Sequence, residues 1–191
     1  MEKMTKNEII QILKNGGIGV LPTDTLYGLV GRALVPETVA RIYRVRKRSP
    51  EKPLIILISS VNELELFGVS KDREEVKAAQ GFWPGKVSII LPCHDPKFEY
   101  LHRGTNTLAF RLPDKPDLLE LLKETGPLAA PSANPEGEPP ALTAEEAKKY
   151  FGSDADFYDD VGIIRSEPSA IIKITGNKID VIRGNISAGS E

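Results

Sequence analysis

Short apolar runs alternate with amphipathic segments along the chain, and this alternation predicts a mixed α/β fold. Runs bounded by glycine, proline or charged residues predict strands, at 18–21, 54–58, 86–91, 107–112, 127–130, 169–174 and 178–182. Apolar residues at helical spacing predict helices at 7–14, from 36 to about 45–47, at 72–80, 116–123 and 143–150. The proline-rich stretch 131–140 is predicted to be the longest irregular loop.

Length and composition indicate one globular domain. The chain has 191 residues, of which 40% are hydrophobic and 27% are charged, and domains of this size have a single core. No stretch approaches the ~20 apolar residues of a membrane span, and the N-terminal residues lack a signal-peptide core. Cys93 is the one cysteine, so no intramolecular disulfide can form. We therefore expect a cytoplasmic protein with no membrane partner.

A cluster of positive charge is concealed by the near-neutral total. The formal net charge is −2, yet residues 41–52 carry six cations and one anion, against 19 cations and 26 anions elsewhere. The near-neutral net charge gives no reason to expect a protein that coats nucleic acid without sequence specificity. It leaves room for a small cationic pocket that binds a nucleotide.

Arg46 and Arg48 form the most informative pair within this cluster. Ser49 precedes a proline, so the helix is expected to end before it. An extended backbone would then place Arg46 and Arg48 on one side and Lys47 on the other, as a clamp for polyphosphate. The alternative is a solvated basic helix end favoured by the helix dipole.

Polar side chains follow several predicted strands. Ser132 and Asn134 are expected to point the same way, because Pro135 restricts Asn134 to an extended conformation. Thr23 lies in a second polar strand end, at 22–25. These groups could hydrogen-bond a nucleotide or an amino acid, or they could only shape turns. Arg111 ends an apolar strand, where its charge must be paired or reach a cleft.

Several catalytic motifs are absent. The chain has no P-loop, no G-x-G-x-x-G, no G-x-S-x-G elbow and no local histidine triad. Cys93, His94 and His102 do not form a compact zinc pattern, so we expect no metal site made by protein side chains. Chemistry should depend on positioning and charge stabilisation.

These pieces together resemble the YrdC family of threonylcarbamoyl-AMP synthases over nearly the whole chain. The segments that carry the resemblance are Pro22-Thr23-Asp24-Thr25-Leu26-Tyr27-Gly28-Leu29, Arg46-Lys47-Arg48, Lys52-Pro53-Leu54, Trp83-Pro84-Gly85, Leu108-Ala109-Phe110-Arg111, Pro131-Ser132-Ala133-Asn134 and Arg183-Gly184. The fold that the resemblance implies is a twisted open mixed sheet with flanking helices around a positively charged cavity. We expect it to span residues 1–191, without the additional C-terminal domain of longer members.

The activity implied is a nucleotidyl transfer that uses L-threonine, bicarbonate and ATP with Mg²⁺. It releases pyrophosphate and supplies threonylcarbamoyl-AMP to the machinery that modifies adenosine 37 of tRNA. By motif position, Arg46 and Arg48 are the expected catalytic residues. The expected ATP-binding residues are Arg46, Arg48, Lys52, Thr107, Ser132, Asn134 and Arg183, and the expected L-threonine-binding residues are Thr23, Arg111 and Ser169.

The chain departs from the family pattern at five positions, which are Arg46, Leu57, Ser88, Ala130 and Pro140. Arg46 replaces the usual lysine, which exchanges a point donor for a planar fork. These departures keep a second hypothesis open. It is a divergent or non-catalytic relative that binds a nucleotide or double-stranded RNA in the same basic cavity.

Overall fold

A nine-stranded open mixed sheet organises the computed structural model, which describes residues 4–176 and 178–186. The strands are β1 (Gly19–Pro22), β2 (Tyr27–Arg32), β3 (Ile55–Leu57), β4 (Val87–Pro92), β5 (Thr107–Arg111), β6 (Leu128–Ala129), β7 (Phe157–Tyr158), β8 (Ala170–Thr175) and β9 (Lys178–Arg183). Their order across the sheet is β7-β1-β2-β6-β3-β5-β4-β8-β9.

The described residues form six α-helices beside the sheet, and they are α1 (Lys6–Lys14), α2 (Pro36–Val45), α3 (Glu74–Ala79), α4 (Glu99–His102), α5 (Pro116–Thr125) and α6 (Ala144–Phe151). Short 3-10 helices lie at Val61–Phe67, Pro96–Phe98 and Gly152–Asp154. No helix in the described ranges is both long and apolar enough to cross a membrane.

Two hydrophobic clusters cover the two faces of the sheet. Ile56 belongs to the larger cluster and the next residue, Leu57, to the smaller one, as expected when successive side chains of a strand point to opposite faces. Buried residues of α1 and α5 pack in the smaller cluster, and those of α2, α3, α4 and α6 pack in the larger one. The middle of the sheet is therefore covered on both faces.

The predicted mixed α/β class and every predicted strand and helix are confirmed, with ends that shift by a few residues. Two strands, β2 and β7, were not predicted. The apolar pattern of β2 is interrupted by Gly28 and Gly31. A Cβ at Gly31 would lie 2.5 Å from Thr38 Cγ2 and 2.9 Å from Ile18 Cγ2, so glycine is needed for close packing of α2 on this strand.

The extended conformation predicted for residues 46–48 is wrong. Arg46 caps α2 with helical dihedral angles, and Lys47 has a left-handed φ of 50°. The main-chain nitrogen of Arg48 then bonds the carbonyl of Tyr43 at 3.0 Å. The chain makes a tight helix-ending turn here, which directs the two arginines differently from a strand.

Candidate functional site

A cavity of about 470 Å³ lies beside the β1–β2 turn and is lined by parts of β2, β3, β4, β5, β8 and β9 and by the proline-rich loop. Eight of the ten predicted site residues line it, namely Thr23, Arg48, Thr107, Arg111, Ser132, Asn134, Ser169 and Arg183. They come from six separate segments of the chain, which the sheet brings together. Arg46 and Lys52 are not among the lining residues.

Arg48 lies on the cavity wall without a carboxylate partner among the described residues. Its Nε donates to the carbonyl of Lys52 at 3.0 Å and its Nη2 to that of Pro53 at 2.9 Å. Both acceptors are neutral, so the positive charge remains available to an anion. The left-handed turn at Lys47 produces this placement.

Arg46 lies behind the cavity wall, 3% exposed. Its Nε donates to the Asn134 carbonyl at 2.8 Å, and its Nη2 is 3.3 Å from both Ser132 Oγ and Asn134 Oδ1. Burial, together with the charge of Arg48, lowers the pKa of Arg46 to about 10. Ser132 and Asn134 thus point to one guanidinium, which fixes the start of the proline-rich loop.

Lys52 is exposed and forms an ion pair with Glu136 outside the cavity. The other oxygen of that carboxylate accepts a hydrogen bond from the main-chain nitrogen of Ser49. Lys52 and Ser49, with their neighbour Arg48, lower the pKa of Glu136 below its ordinary value. Glu136 therefore ties the basic segment to the proline-rich loop.

Arg111 and Asp24 form a buried ion pair at another wall of the cavity. Arg111 Nη2 lies 3.0 Å from Asp24 Oδ1, and the two side chains are 4% and 2% exposed. Burial lowers the pKa of Arg111, and the charge of Asp24 opposes that shift. The neighbouring Thr23 hydroxyl is 2.7 Å from the carbonyl of Leu26, to which it donates. Hydrogen bonding within the β1–β2 turn thus explains part of the polar character of segment 22–25.

Ser169, Ser88 and Arg183 form a third polar group. The two serine hydroxyls are 3.0 Å apart. Arg183 Nη2 donates to the Ser169 carbonyl at 3.0 Å and lies 3.4 Å from its hydroxyl. Burial, reinforced by the charge of Arg48, lowers the pKa of Arg183. Arg48 and Arg183 thus place two like charges on the wall of one cavity.

Two acidic residues at the site were not predicted. Glu138 lines the cavity, and its carboxylate has no hydrogen bond or ion pair with the described residues. Asp24 stood inside the 22–29 motif, but no sequence signal linked it to Arg111, 87 positions away. Of the family departures, Ala130 and Pro140 line the cavity, whereas Leu57 is fully buried in the core.

No group of three or more His, Cys, Asp or Glu side chains that could hold a metal ion exists among residues 4–176 and 178–186. A metal ion at this cavity would need ligands from a substrate.

Comparison with known proteins identifies the family. The model of the Sua5/YciO/YrdC family, which carries the description telomere recombination, matches residues 11–184. The chain belongs to the Sua5/YciO/YrdC family. The predicted resemblance is thereby confirmed. This chain is 37% identical over 137 residues to the threonylcarbamoyl-AMP synthase of Bacillus subtilis. It is 32% identical over 173 residues to a putative threonylcarbamoyl-AMP synthase of Mycobacterium tuberculosis.

Solved structures of the Sua5/YciO/YrdC family share the fold. The structure of Pyrococcus abyssi Sua5 complexed with L-threonine superposes with a TM-score of 0.84 at 30% identity and covers 95% of this chain. Escherichia coli YciO superposes with a TM-score of 0.80 at 24% identity over 93% of this chain, a likeness of fold.

The aligned region covers different shares of these relatives. It spans 39% of the Bacillus subtilis protein and 55% of the Pyrococcus abyssi structure. It spans 79% of the Mycobacterium tuberculosis protein and 87% of Escherichia coli YciO.

Proposed function

We propose that this chain is a nucleotidyltransferase that forms L-threonylcarbamoyl-adenylate and pyrophosphate from L-threonine, bicarbonate and ATP. One observation carries the proposal. A single cavity combines two arginines without carboxylate partners, one arginine paired with an aspartate, and several neutral hydrogen-bonding groups. The product would pass to the machinery that modifies adenosine 37 of tRNA, and a cytoplasmic location is part of the proposal.

The phosphate side of the proposed site is the region around Arg48 and Arg183. In the described ranges neither arginine forms an ion pair, and burial together with repulsion by the charge of Arg48 lowers the pKa of Arg183. An anion between them would relieve that repulsion. The triphosphate of ATP supplies such an anion, and the departing pyrophosphate gathers more charge in the transition state.

The threonine side of the proposed site is the region around Arg111, Thr23 and Ser169. Arg111 is already paired with Asp24, so this wall suits the single charge of a carboxylate better than a triphosphate. The complex of Pyrococcus abyssi Sua5 with L-threonine, a protein 30% identical to this chain, supports the substrate.

The chemistry proposed here needs no covalent nucleophile from the protein. Threonine amine and bicarbonate give a carbamate with loss of one water, as the C–N bond forms and a C–O bond of bicarbonate breaks. An oxygen of the carbamate then attacks the α-phosphorus of ATP while the bond to pyrophosphate breaks. Arg48 and Arg183 would stabilise the charge on the phosphates, and Ser132 and Asn134 would orient the nucleotide by hydrogen bonds. Arg46, buried behind the wall, would hold Ser132 and Asn134 in place.

Mg²⁺ would enter the site bound to ATP. Magnesium ions that bind nucleotides usually have one or two carboxylate ligands and complete their coordination with phosphates and water. Glu138 is the one acid among the described lining residues, and its carboxylate makes no contact with a cation there. The residues present fit a metal held mainly by substrate, and the ion would neutralise phosphate charge.

Pyrophosphate release tests the proposed activity. We expect release from ATP and Mg²⁺ only when L-threonine and bicarbonate are both present, with L-serine as the matched amino-acid control giving a lower rate. ATP binding without any stimulation by L-threonine would contradict the proposal.

A second candidate function is binding of double-stranded RNA. Arg44 and Lys47 are exposed on the basic segment 41–52 that also carries Arg48, and neither forms an ion pair with the described residues. Duplex RNA affinity should then fall steeply with salt and weaken in the Arg44→Met/Lys47→Met variant. An affinity that is undetectable, or unchanged by salt and by these substitutions, would rule this function out.

A further inference from the structure

The ion pair between Arg111 and Asp24 is buried but poorly hydrogen-bonded. Although Arg111 Nη2 and Asp24 Oδ1 are 3.0 Å apart, the contact lacks hydrogen-bond geometry. Neither carboxylate oxygen of Asp24 accepts a hydrogen bond from the described residues, and Arg111 Nε is also buried without a partner. Stability alone is a weak reason for such a pair, because desolvation of the two charges offsets much of their attraction.

Hydrogen bonds fix the main-chain positions around both residues. Arg111 ends β5, where its carbonyl accepts a hydrogen bond from the nitrogen of Ile58 at 3.0 Å. Asp24 lies in the β1–β2 turn between Thr23 and Thr25, whose side chains are 3.1 Å apart. The turn therefore holds a negative charge beside the Arg111 guanidinium, which extends from the end of β5 in the middle of the sheet.

Only one partner of this ion pair lines the cavity. Arg111 lines the cavity, whereas Asp24 does not and is 2% exposed at its side chain. Asp24 therefore contacts Arg111 from the protein interior and leaves the cavity-facing side of the Arg111 guanidinium available to a ligand. We propose that Asp24 is a positioning residue, whose carboxylate holds the Arg111 guanidinium in the orientation that receives the carboxylate of L-threonine. This inference rests on the proposed function, in which Arg111 binds that carboxylate.

Lys115 offers a matched control because it is a second cation near Asp24. Its Nζ donates to the carbonyls of Pro22 and Thr23 at 3.1 and 3.4 Å. Burial lowers the pKa of Lys115, and the charges of nearby aspartates, Asp24 among them, oppose that shift. Lys115 does not line the cavity. The Lys115→Met variant thus disturbs the same turn and the charge balance around Asp24 while it keeps the Asp24 carboxylate and every lining side chain.

The Asp24→Asn variant tests the inference because it keeps the side-chain shape and removes the charge. We expect the dissociation constant for L-threonine to rise about tenfold or more, measured by calorimetry with a non-hydrolysable ATP analogue present. The dissociation constant for the analogue alone should change less than about twofold. Lys115→Met should leave L-threonine binding within about twofold of the unsubstituted protein.

A double variant keeps the test decisive if Asp24→Asn folds poorly. Asp24→Asn/Arg111→Met removes both charges, so it should unfold at a higher temperature than Arg111→Met alone. If Asp24 acts through Arg111, adding Asp24→Asn to Arg111→Met should cause no further loss of L-threonine affinity. A further loss would show that Asp24 acts independently and would overturn the inference.

Two other results would also overturn it. One is unchanged L-threonine affinity in a folded Asp24→Asn variant, and the other is an equal loss of affinity for L-threonine and for the ATP analogue. These outcomes are distinct from failure of the proposed function. If the unsubstituted protein binds no L-threonine, the proposed function and this inference are both wrong.

Discussion

The guanidinium of Arg46 donates from Nε to the main-chain carbonyl of Asn134 at 2.8 Å, joining the end of α2 to the loop that follows β6. The same guanidinium reaches the side chains of Ser132 and Asn134 at 3.3 Å. An arginine can make these contacts together because its donors form a planar fork. A residue that the motif suggests as a phosphate ligand therefore supports the cavity wall from behind.

Arg46→Met should destabilise the protein as well as reduce activity. Each hydrogen bond from a charged group contributes about 1.5–3 kcal/mol, so we expect a loss of at least about 2 kcal/mol in the free energy of unfolding, measured by urea denaturation. Arg44→Met, on the exposed face of the same helix, is the matched control and should change stability by less than about 0.5 kcal/mol. Equal stability of the two variants would contradict the bracing role.

Arg48→Met should reduce activity with little effect on stability. Removal of one charge that stabilises the phosphates should slow pyrophosphate release about 100-fold or more. The midpoint of thermal unfolding should fall by no more than about 4 °C, because Arg48 is only half-buried and water can replace the two hydrogen bonds that it donates to carbonyls. Lys47→Met removes a neighbouring exposed charge and should retain most activity. A fully active Arg48→Met would exclude Arg48 from catalysis.

The contribution of Glu136 to stability should depend on pH. Its pKa is lowered in the folded protein by Lys52 and the main-chain nitrogen of Ser49. A depressed carboxyl pKa stabilises the fold at pH values above the unfolded pKa of about 4.3, and this contribution disappears as the pH falls through the folded value. Glu136→Gln should therefore unfold at a lower temperature than the unsubstituted protein at pH 7. The difference should shrink below about pH 4. A difference that does not vary with pH would refute this linkage.

Gly31→Ala should destabilise the sheet where α2 packs on β2. Its Cβ would lie 2.5 Å from Thr38 Cγ2, and overpacking of this kind costs about 1–3 kcal/mol. Gly81→Ala is the matched control, because its Cβ would meet only the Ala78 carbonyl, at 3.6 Å. Chemical denaturation of both variants checks the prediction, and an equal effect would show that the close approach of α2 is not needed.

Local patterns predicted most of the fold, because nearly every strand is an apolar run and nearly every helix has an amphipathic face. The same reasoning missed β2, where glycine at 31 serves packing against α2 rather than strand propensity. It also gave Arg46 and Arg48 the wrong backbone, since the left-handed turn at Lys47 follows no glycine or asparagine signal.

Sequence patterns predicted which residues belong to the candidate site better than they predicted the contacts between those residues. Most of the predicted residues line one cavity because their motifs follow strands that the sheet brings together. The pairing of Asp24 with Arg111 and the burial of Arg46 depend on tertiary packing between distant segments. No local periodicity reports such contacts.

Mass-spectrometric detection of the product from ¹³C-bicarbonate, ATP, Mg²⁺ and L-threonine tests the central claim most directly. The account predicts an adenylate that contains one ¹³C atom and threonine, formed by the unsubstituted protein and strongly reduced in Arg48→Met. It would be contradicted if the unsubstituted protein, folded and able to bind ATP, formed no labelled adenylate.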